Sequence, residues 1–101
     1  MKITIIGAGP GGYDTAVAAA ARGIEVTIIS YGPVGGTCLN EGCIPTKTLL
    51  YSAKVYNYAL TGDHYGVYVK EPTFDYSKIV ARKDKVVKKL VGGVKLAMKS
   101  N

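Results

Sequence analysis

The spacing of apolar residues changes along this chain, and it predicts the chain's elements. Residues 2–6 and 25–29 are β-branched, apolar runs, which are typical of buried strands in a parallel sheet. Between them lies an alanine-rich stretch over residues 13–22, which predicts a helix with Gly23 at its C-terminal end. A strand, a helix and a strand in this order predict a βαβ unit.

Apolar positions at helical spacing dominate the second half of the chain. They predict one helix over residues 45–60, which Thr61-Gly62-Asp63 ends, and a second helix from Lys78 onward with lysines on its opposite side. Residues 65–69, between these two helices, predict a short strand.

The last, basic helix has two notable features. Asp75 or Ser77 is expected to cap its start, after a turn at residues 72–76. Gly92 and Gly93 are expected to interrupt it, at a cost of about 1 kcal/mol each relative to alanine.

A glycine-rich turn follows the first strand. Gly7, Gly9 and Gly12 form the pattern G-x-G-x-x-G, which in isolation is often an ordinary turn. Strands on both sides give it the context of a dinucleotide-binding unit. Gly7 would make the tight turn, and Gly9 would let the backbone approach a pyrophosphate. Gly12 would let the helix lie close to the strand, a contact that Ala16 and Ala20 on the same helical face would keep close.

The end of the second strand lacks one part of a dinucleotide site. An acidic residue about 20 positions after the glycines usually holds the ribose hydroxyls. Here that place is taken by Ser30, followed by Tyr31. A neutral hydroxyl is a weaker partner than a carboxylate, so the sequence predicts looser dinucleotide binding.

Length, charge and composition limit the alternatives. A chain of 101 residues with 48% apolar residues is at most one globular domain. Its net charge of +6 lies entirely after residue 66, where lysines alternate with apolar positions, so we expect a solvated helix face and no nucleic-acid site.

No stretch is long enough to span a membrane and no signal peptide is recognisable, which predicts a cytoplasmic protein. One histidine, His64, with two cysteines cannot supply a zinc site, and His64 itself is expected to be plain surface.

Both cysteines lie in one glycine-rich stretch, residues 35–47. Cys38 and Cys43 can meet only if the chain bends tightly between them, which Gly42 permits. A structural disulfide or two buried thiols is the simple alternative. The start of a helix and Lys47 one turn later would instead favour thiolate, the reactive form. We therefore predict a redox-active dithiol.

The glycine fingerprint followed by G-G-T-C-L-N-E-G-C-I-P-T-K resembles the N-terminal part of the flavin-dependent pyridine nucleotide-disulfide oxidoreductases. Leu39, Ile44 and Thr46, with Val91-Gly92-Gly93-Val94 in the basic helix, resemble the dihydrolipoamide dehydrogenase branch most. The resemblance covers residues 1–101. It implies an α/β fold, namely a partial Rossmann-like FAD-binding domain made of the βαβ unit, a redox-disulfide helix and the long basic helix.

The resemblance implies roles for individual residues. Cys43 would lie next to the flavin, Cys38 would exchange with the substrate dithiol, and Lys47 would tune the flavin. The FAD-binding positions would be Gly7, Gly9, Pro10, Gly11, Gly12, Ser30, Tyr31, Gly35, Gly36, Thr37, Cys38, Gly42, Cys43 and Lys47.

The implied reaction passes electrons from a lipoamide-like dithiol through the Cys38–Cys43 disulfide and FAD to NAD or NADP. Members of the family are several times longer, so we expect this chain to be an incomplete, inactive segment or a subunit that another chain completes, for example in a homodimer. The alternatives are a glutathione or mercuric reductase type of enzyme, and a non-catalytic flavin- or nucleotide-binding subunit.

Overall fold

The structure, a computed structural model, describes residues 1–100. A βαβ unit comes first, and three helices follow it. The elements are β1 Lys2–Ile6, α1 Pro10–Ala20, β2 Glu25–Ile29, α2 Gly36–Asn40, α3 Cys43–Leu60 and α4 Tyr76–Lys99, with a 3-10 turn at Gly62–Tyr65 between α3 and α4. Within residues 1–100, no helix combines the length and the apolar character that crossing a bilayer requires.

The two strands have the predicted bounds and pair in parallel, with Lys2 opposite Glu25 and Ile6 opposite Ile29. Alternate side chains, such as Ile5, are half-buried on the face that α1 covers. The opposite face is open, and Ile6 and Ile29 are 87% and 55% exposed. The expectation of fully buried strands is therefore wrong for the described residues, because helices cover this sheet on one face only.

Helix α1 begins at Pro10, before the predicted start at residue 13. Proline suits the first helical position because its missing N–H has no intrahelical acceptor there. At the other end, Gly23 has a left-handed φ of +79° and donates to the Ala20 carbonyl, while the Ile24 amide donates to the Ala19 carbonyl at 3.2 Å. This is a Schellman end, as the predicted terminal glycine requires.

Helix α3 begins at Cys43 and ends at Leu60, where the sequence predicted its end. The strand predicted at residues 65–69 is absent. The Val67 amide instead donates to the Gly62 carbonyl at 2.9 Å, and Gly66 has a left-handed φ of +77°, so the segment folds back on the end of α3. The hydrogen bond of this backbone is therefore made to the turn after α3 and not to a neighbouring strand.

Helix α4 starts with the predicted cap. The Asp75 carboxylate accepts from the Lys78 amide at 3.2 Å and from the Ser77 hydroxyl at 2.6 Å. The expected interruption at Gly92 and Gly93 is wrong, because both residues continue the helix. The helix packs against α3, α2 and α1.

Candidate dinucleotide and disulfide site

The turn between β1 and α1 is formed largely by backbone. Gly7 has a φ of +111°, a conformation that side chains disfavour, and its amide donates to the Ile29 carbonyl at 2.7 Å. This bond ties the turn to the end of β2. Gly9 then precedes α1 without any side-chain cap, so the first amides of α1 have no side-chain acceptor. Such a helix start is suited to binding an anion.

Gly12 lies where the helix meets the strand. A β-carbon at this position would overlap the Gly7 carbonyl oxygen and lie 3.5 Å from the Ile5 side chain. The helix can approach β1 this closely only because residue 12 has no side chain. Ala16 is buried on the same side of α1, whereas Ala20 is half-buried.

The cysteine-bearing segment contacts this turn directly. The Gly35 amide donates to the Ala8 carbonyl at 2.9 Å. A β-carbon on Gly36 would lie only 2.7 Å from the Gly9 α-carbon, and Gly36 has a φ of +64°. The backbones at residues 9 and 36 therefore touch, and α2 begins beside the start of α1.

The two sulfurs belong to different helices. Cys38 lies in α2, Cys43 is the first residue of α3, and the two form a disulfide with their α-carbons 4.6 Å apart. Gly42 makes the bend between them. A β-carbon there would lie 3.0 Å from the Thr37 carbonyl oxygen and 3.3 Å from the Cys38 α-carbon. Close approach, rather than a positive φ, is the reason for glycine at this position.

Buried side chains hold the disulfide segment in place. Leu39 and Thr48 are 5% and 7% exposed, and the Thr48 hydroxyl donates to the Ile44 carbonyl at 2.7 Å. The Asn40 amide group donates to the carbonyls of Val34 and Gly36, at 3.0 and 2.9 Å. The sequence prediction missed these supporting roles, although Asn40 lies inside the stretch that it singled out.

The remaining predicted site residues are open to solvent to different degrees. Cys38 is half-buried, whereas Thr37, Cys43 and Lys47 are exposed. At the end of β2 the Ser30 hydroxyl donates to the Gly32 carbonyl at 2.8 Å, which leaves its oxygen free to accept. Tyr31 beside it is fully exposed.

His64 lies on the exposed 3-10 turn after α3. This turn follows the C-terminal end of α3, whereas Cys43 is the first residue of α3, so His64 is not part of the disulfide segment.

Comparisons with known proteins decide the family. The model of the pyridine nucleotide-disulphide oxidoreductases matches residues 1–101. The chain belongs to this family. It is 52% identical to dihydrolipoyl dehydrogenase of Acholeplasma laidlawii over 99% of its length, and 48% identical to that of Bacillus subtilis over 100%. The chain spans only 30% and 22% of these two relatives.

A solved structure is similar as well. It is the Cu(II) complex of the HOCl-induced flavoprotein disulfide reductase RclA from Escherichia coli, with a TM-score of 0.76 and 30% identity over 99% of this chain and 19% of that one. The chain therefore has the fold of the N-terminal, FAD-binding Rossmann-like part of these flavoproteins, as the sequence predicted.

Proposed function

We propose that this chain is the FAD-binding, disulfide-carrying N-terminal segment of a dihydrolipoyl dehydrogenase-like enzyme. The observation that carries the proposal is the contact between Gly9 and Gly36. It brings a helix start suited to a pyrophosphate next to the segment that bears the Cys38–Cys43 disulfide. A disulfide with a purely structural role would not need to lie beside the start of α1.

The chain's residues fit FAD at this place. Gly7, Gly9, Pro10, Gly11 and Gly12 would hold the pyrophosphate, because the start of α1 has no side-chain cap and the space beside Gly7 and Gly11 is open. Ser30 and Tyr31 would lie toward the adenosine, with the Ser30 oxygen as a neutral acceptor. The flavin side would be formed by Gly35, Gly36, Thr37, Cys38, Gly42, Cys43 and Lys47.

The two cysteines would exchange with a dithiol substrate. A substrate thiolate attacks Cys38, the S–S bond breaks and Cys43 leaves as a thiolate, stabilised by the start of α3 and the charge of Lys47. The second substrate thiol then attacks the mixed disulfide, so the substrate leaves as a disulfide and Cys38 takes up the proton. Cys43 would face the FAD that the residues named above would hold, and this cofactor would supply the two-electron chemistry that links the dithiol to a nicotinamide dinucleotide.

The choice of substrate and partners follows the relatives. Identities of 52% and 48% to dihydrolipoyl dehydrogenases favour a dihydrolipoyl dithiol and NAD. Relatives several times longer than this chain favour a protein in which further domains, or a second copy in a homodimer, complete the site. We place this enzyme in the cytoplasm, with no nucleic acid among its partners.

The full-length protein tests the proposal. Purified protein should contain flavin and oxidise dihydrolipoamide with NAD⁺. Cys43→Ser should lower kcat by at least about 10³-fold, because removal of a covalent catalyst typically costs that much or more. Its flavin content should stay unchanged, and Thr46→Ser, at another exposed residue near the start of α3, serves as the control. Dihydrolipoamide turnover that survives in Cys43→Ser would contradict the proposal.

A second candidate is a disulfide reductase that acts on another substrate. The similar E. coli protein is described as a flavoprotein disulfide reductase and not as a dihydrolipoyl dehydrogenase. It predicts flavin and NAD(P)H-driven turnover with glutathione or mercuric ion, and none with lipoamide. A protein that binds flavin without any turnover would instead be a non-catalytic binding subunit.

A further inference from the structure

One side-chain hydrogen bond joins parts of the chain that are far apart in sequence. The Arg82 guanidinium on α4 donates to the Thr48 carbonyl on α3 at 3.4 Å, across 34 positions. The side-chain bonds of Asn40 and Thr48, by contrast, stay within six positions. No sequence motif pointed to Arg82.

The same guanidinium makes a second contact on α3. It lies over the Tyr51 ring, 5.7 Å from the ring centre, so one planar group meets both a carbonyl and an aromatic face. Thr48 in turn donates to the carbonyl of Ile44, the residue after Cys43. Arg82 is therefore connected to the first turn of α3, where one of the two sulfurs is attached.

Helix α4 also contacts α2, the helix that carries Cys38. Asn40 of α2 lines one groove with Lys83 and Val87 of α4. Neighbouring positions of one helix thus hold α2 and α3, whose cysteine α-carbons are 4.6 Å apart. In the oxidised protein the covalent bond keeps the sulfurs together. In the reduced protein the short backbone between them limits their separation, and non-covalent contacts of this kind set it within that limit.

We propose that Arg82 is a positioning residue for the Cys38–Cys43 pair: by pinning the first turns of α3 to α4, it keeps the two thiols close in the reduced protein. The proposal rests on the proposed function, because only a pair that cycles between dithiol and disulfide needs this control. Thiols held at short distance re-form their disulfide more readily. Loss of Arg82 should therefore favour the dithiol.

The test is the equilibrium of the intact protein with dithiothreitol. Reduction breaks the S–S bond, and two electrons and two protons pass from the two thiols of the reagent to Cys38 and Cys43, while the reagent closes to its cyclic disulfide. Acid quenching, alkylation and mass spectrometry of the tryptic peptide 23–47, which contains both cysteines, give the reduced fraction at each reagent ratio.

Arg82→Met should shift the equilibrium toward the dithiol by about two- to fivefold, the size expected for a cation–π contact between exposed side chains. Arg82→Lys should shift the equilibrium in the same direction by a smaller factor, because lysine can still lie over the ring but lacks the planar group that meets the ring and the carbonyl together. Lys89→Met, which removes a charge from the exposed side of the same helix, should leave the equilibrium unchanged.

Four results would overturn the proposal. An unshifted equilibrium in Arg82→Met would leave Arg82 with a merely structural role, since stabilising both redox forms equally moves nothing. Wild-type behaviour of Arg82→Lys would assign the effect to charge instead of position. If Arg82→Met does not fold, Tyr51→Leu removes the ring alone, and it must shift the equilibrium in the same direction by a smaller factor. A wild-type pair that dithiothreitol cannot reduce would overturn the proposed function as well.

Discussion

The βαβ half of this chain and its α3–α4 half reach close packing in opposite ways. In the first half, backbone touches backbone, and both Gly12 and Gly36 lie where a single added methyl group would strike main-chain atoms. Between α3 and α4, side chains make contacts, as in the edge-to-face pair of Tyr56 and Phe74 with ring centres 5.4 Å apart. The two glycines of α4 meet nothing within 4 Å of an added β-carbon.

This difference has a functional meaning. A surface built from bare backbone presents amides at short range, which a phosphate-binding turn needs. A surface built from side chains can hold two helices, and with them two cysteines, at a set distance. The same glycine-to-alanine change should therefore have opposite effects at Gly12 and at Gly93.

Gly12→Ala should produce the largest effect of these changes. Its β-carbon would overlap the Gly7 carbonyl, so α1 must move away from β1, at a cost of about 2–4 kcal/mol in the free energy of unfolding. Chemical denaturation measures this cost. Gly11→Ala is the matched control for stability, because its β-carbon meets nothing within 4 Å. Equal stabilities of the two variants would mean that contact with the Gly7 carbonyl does not restrict residue 12.

Ser30→Glu should tighten flavin binding by roughly fivefold, because hydrogen bonds to a charged acceptor contribute about 1 kcal/mol more than those to a neutral one. The measurement is titration of the flavin-free full-length protein with FAD. Ser30→Gln, similar in size but neutral, is the control. An unchanged affinity in Ser30→Glu would mean that the end of β2 does not meet the ribose.

Gly93→Ala should act in the opposite sense to Gly12→Ala and raise the free energy of unfolding by about 0.5–1 kcal/mol. Alanine loses less backbone entropy in a helix interior, and the space around this residue is open. Thermal unfolding measures the gain. A loss of stability would instead indicate that another part of the full-length protein packs against α4 at this position.

The Asp75 carboxylate should make the smallest contribution to the free energy of unfolding, and this contribution should be lost at acidic pH. Hydrogen bonds from the Ser77 hydroxyl, and then from the Lys78 amide, hold the pKa of this carboxyl below its usual value. A lowered folded-state pKa stabilises the fold above the unfolded pKa of about 3.9, and the benefit is lost as pH falls through the folded value.

Unfolding curves across this range, compared with those of Asp75→Asn, should converge at low pH. Ser77→Ala removes the strongest of these hydrogen bonds and should reduce the difference between the curves. A pH-independent difference between wild type and Asp75→Asn would exclude this titration as the cause.

Local signals were sufficient for much of the fold. The bounds of both strands and the end of α3 are as predicted, since β-branched runs and the Thr61-Gly62 pair act within a few residues. Helix starts were predicted too late where the residue before the helix is Gly9 or Gly42, which carry no capping side chain to mark them. Helix α2 was missed, because five residues are too few for a periodic pattern.

The sequence by itself determined the glycine turn after β1, the paired cysteines and the family to which they belong. Each of these is encoded by residues close together in the chain, through the φ angles that glycine allows and the start of the next helix. Only the tertiary structure decided that Gly9 touches Gly36 and that Arg82 reaches Thr48. Such contacts depend on how distant segments pack, and the packing that joins the glycine turn after β1 to the sulfurs is a property of the whole fold.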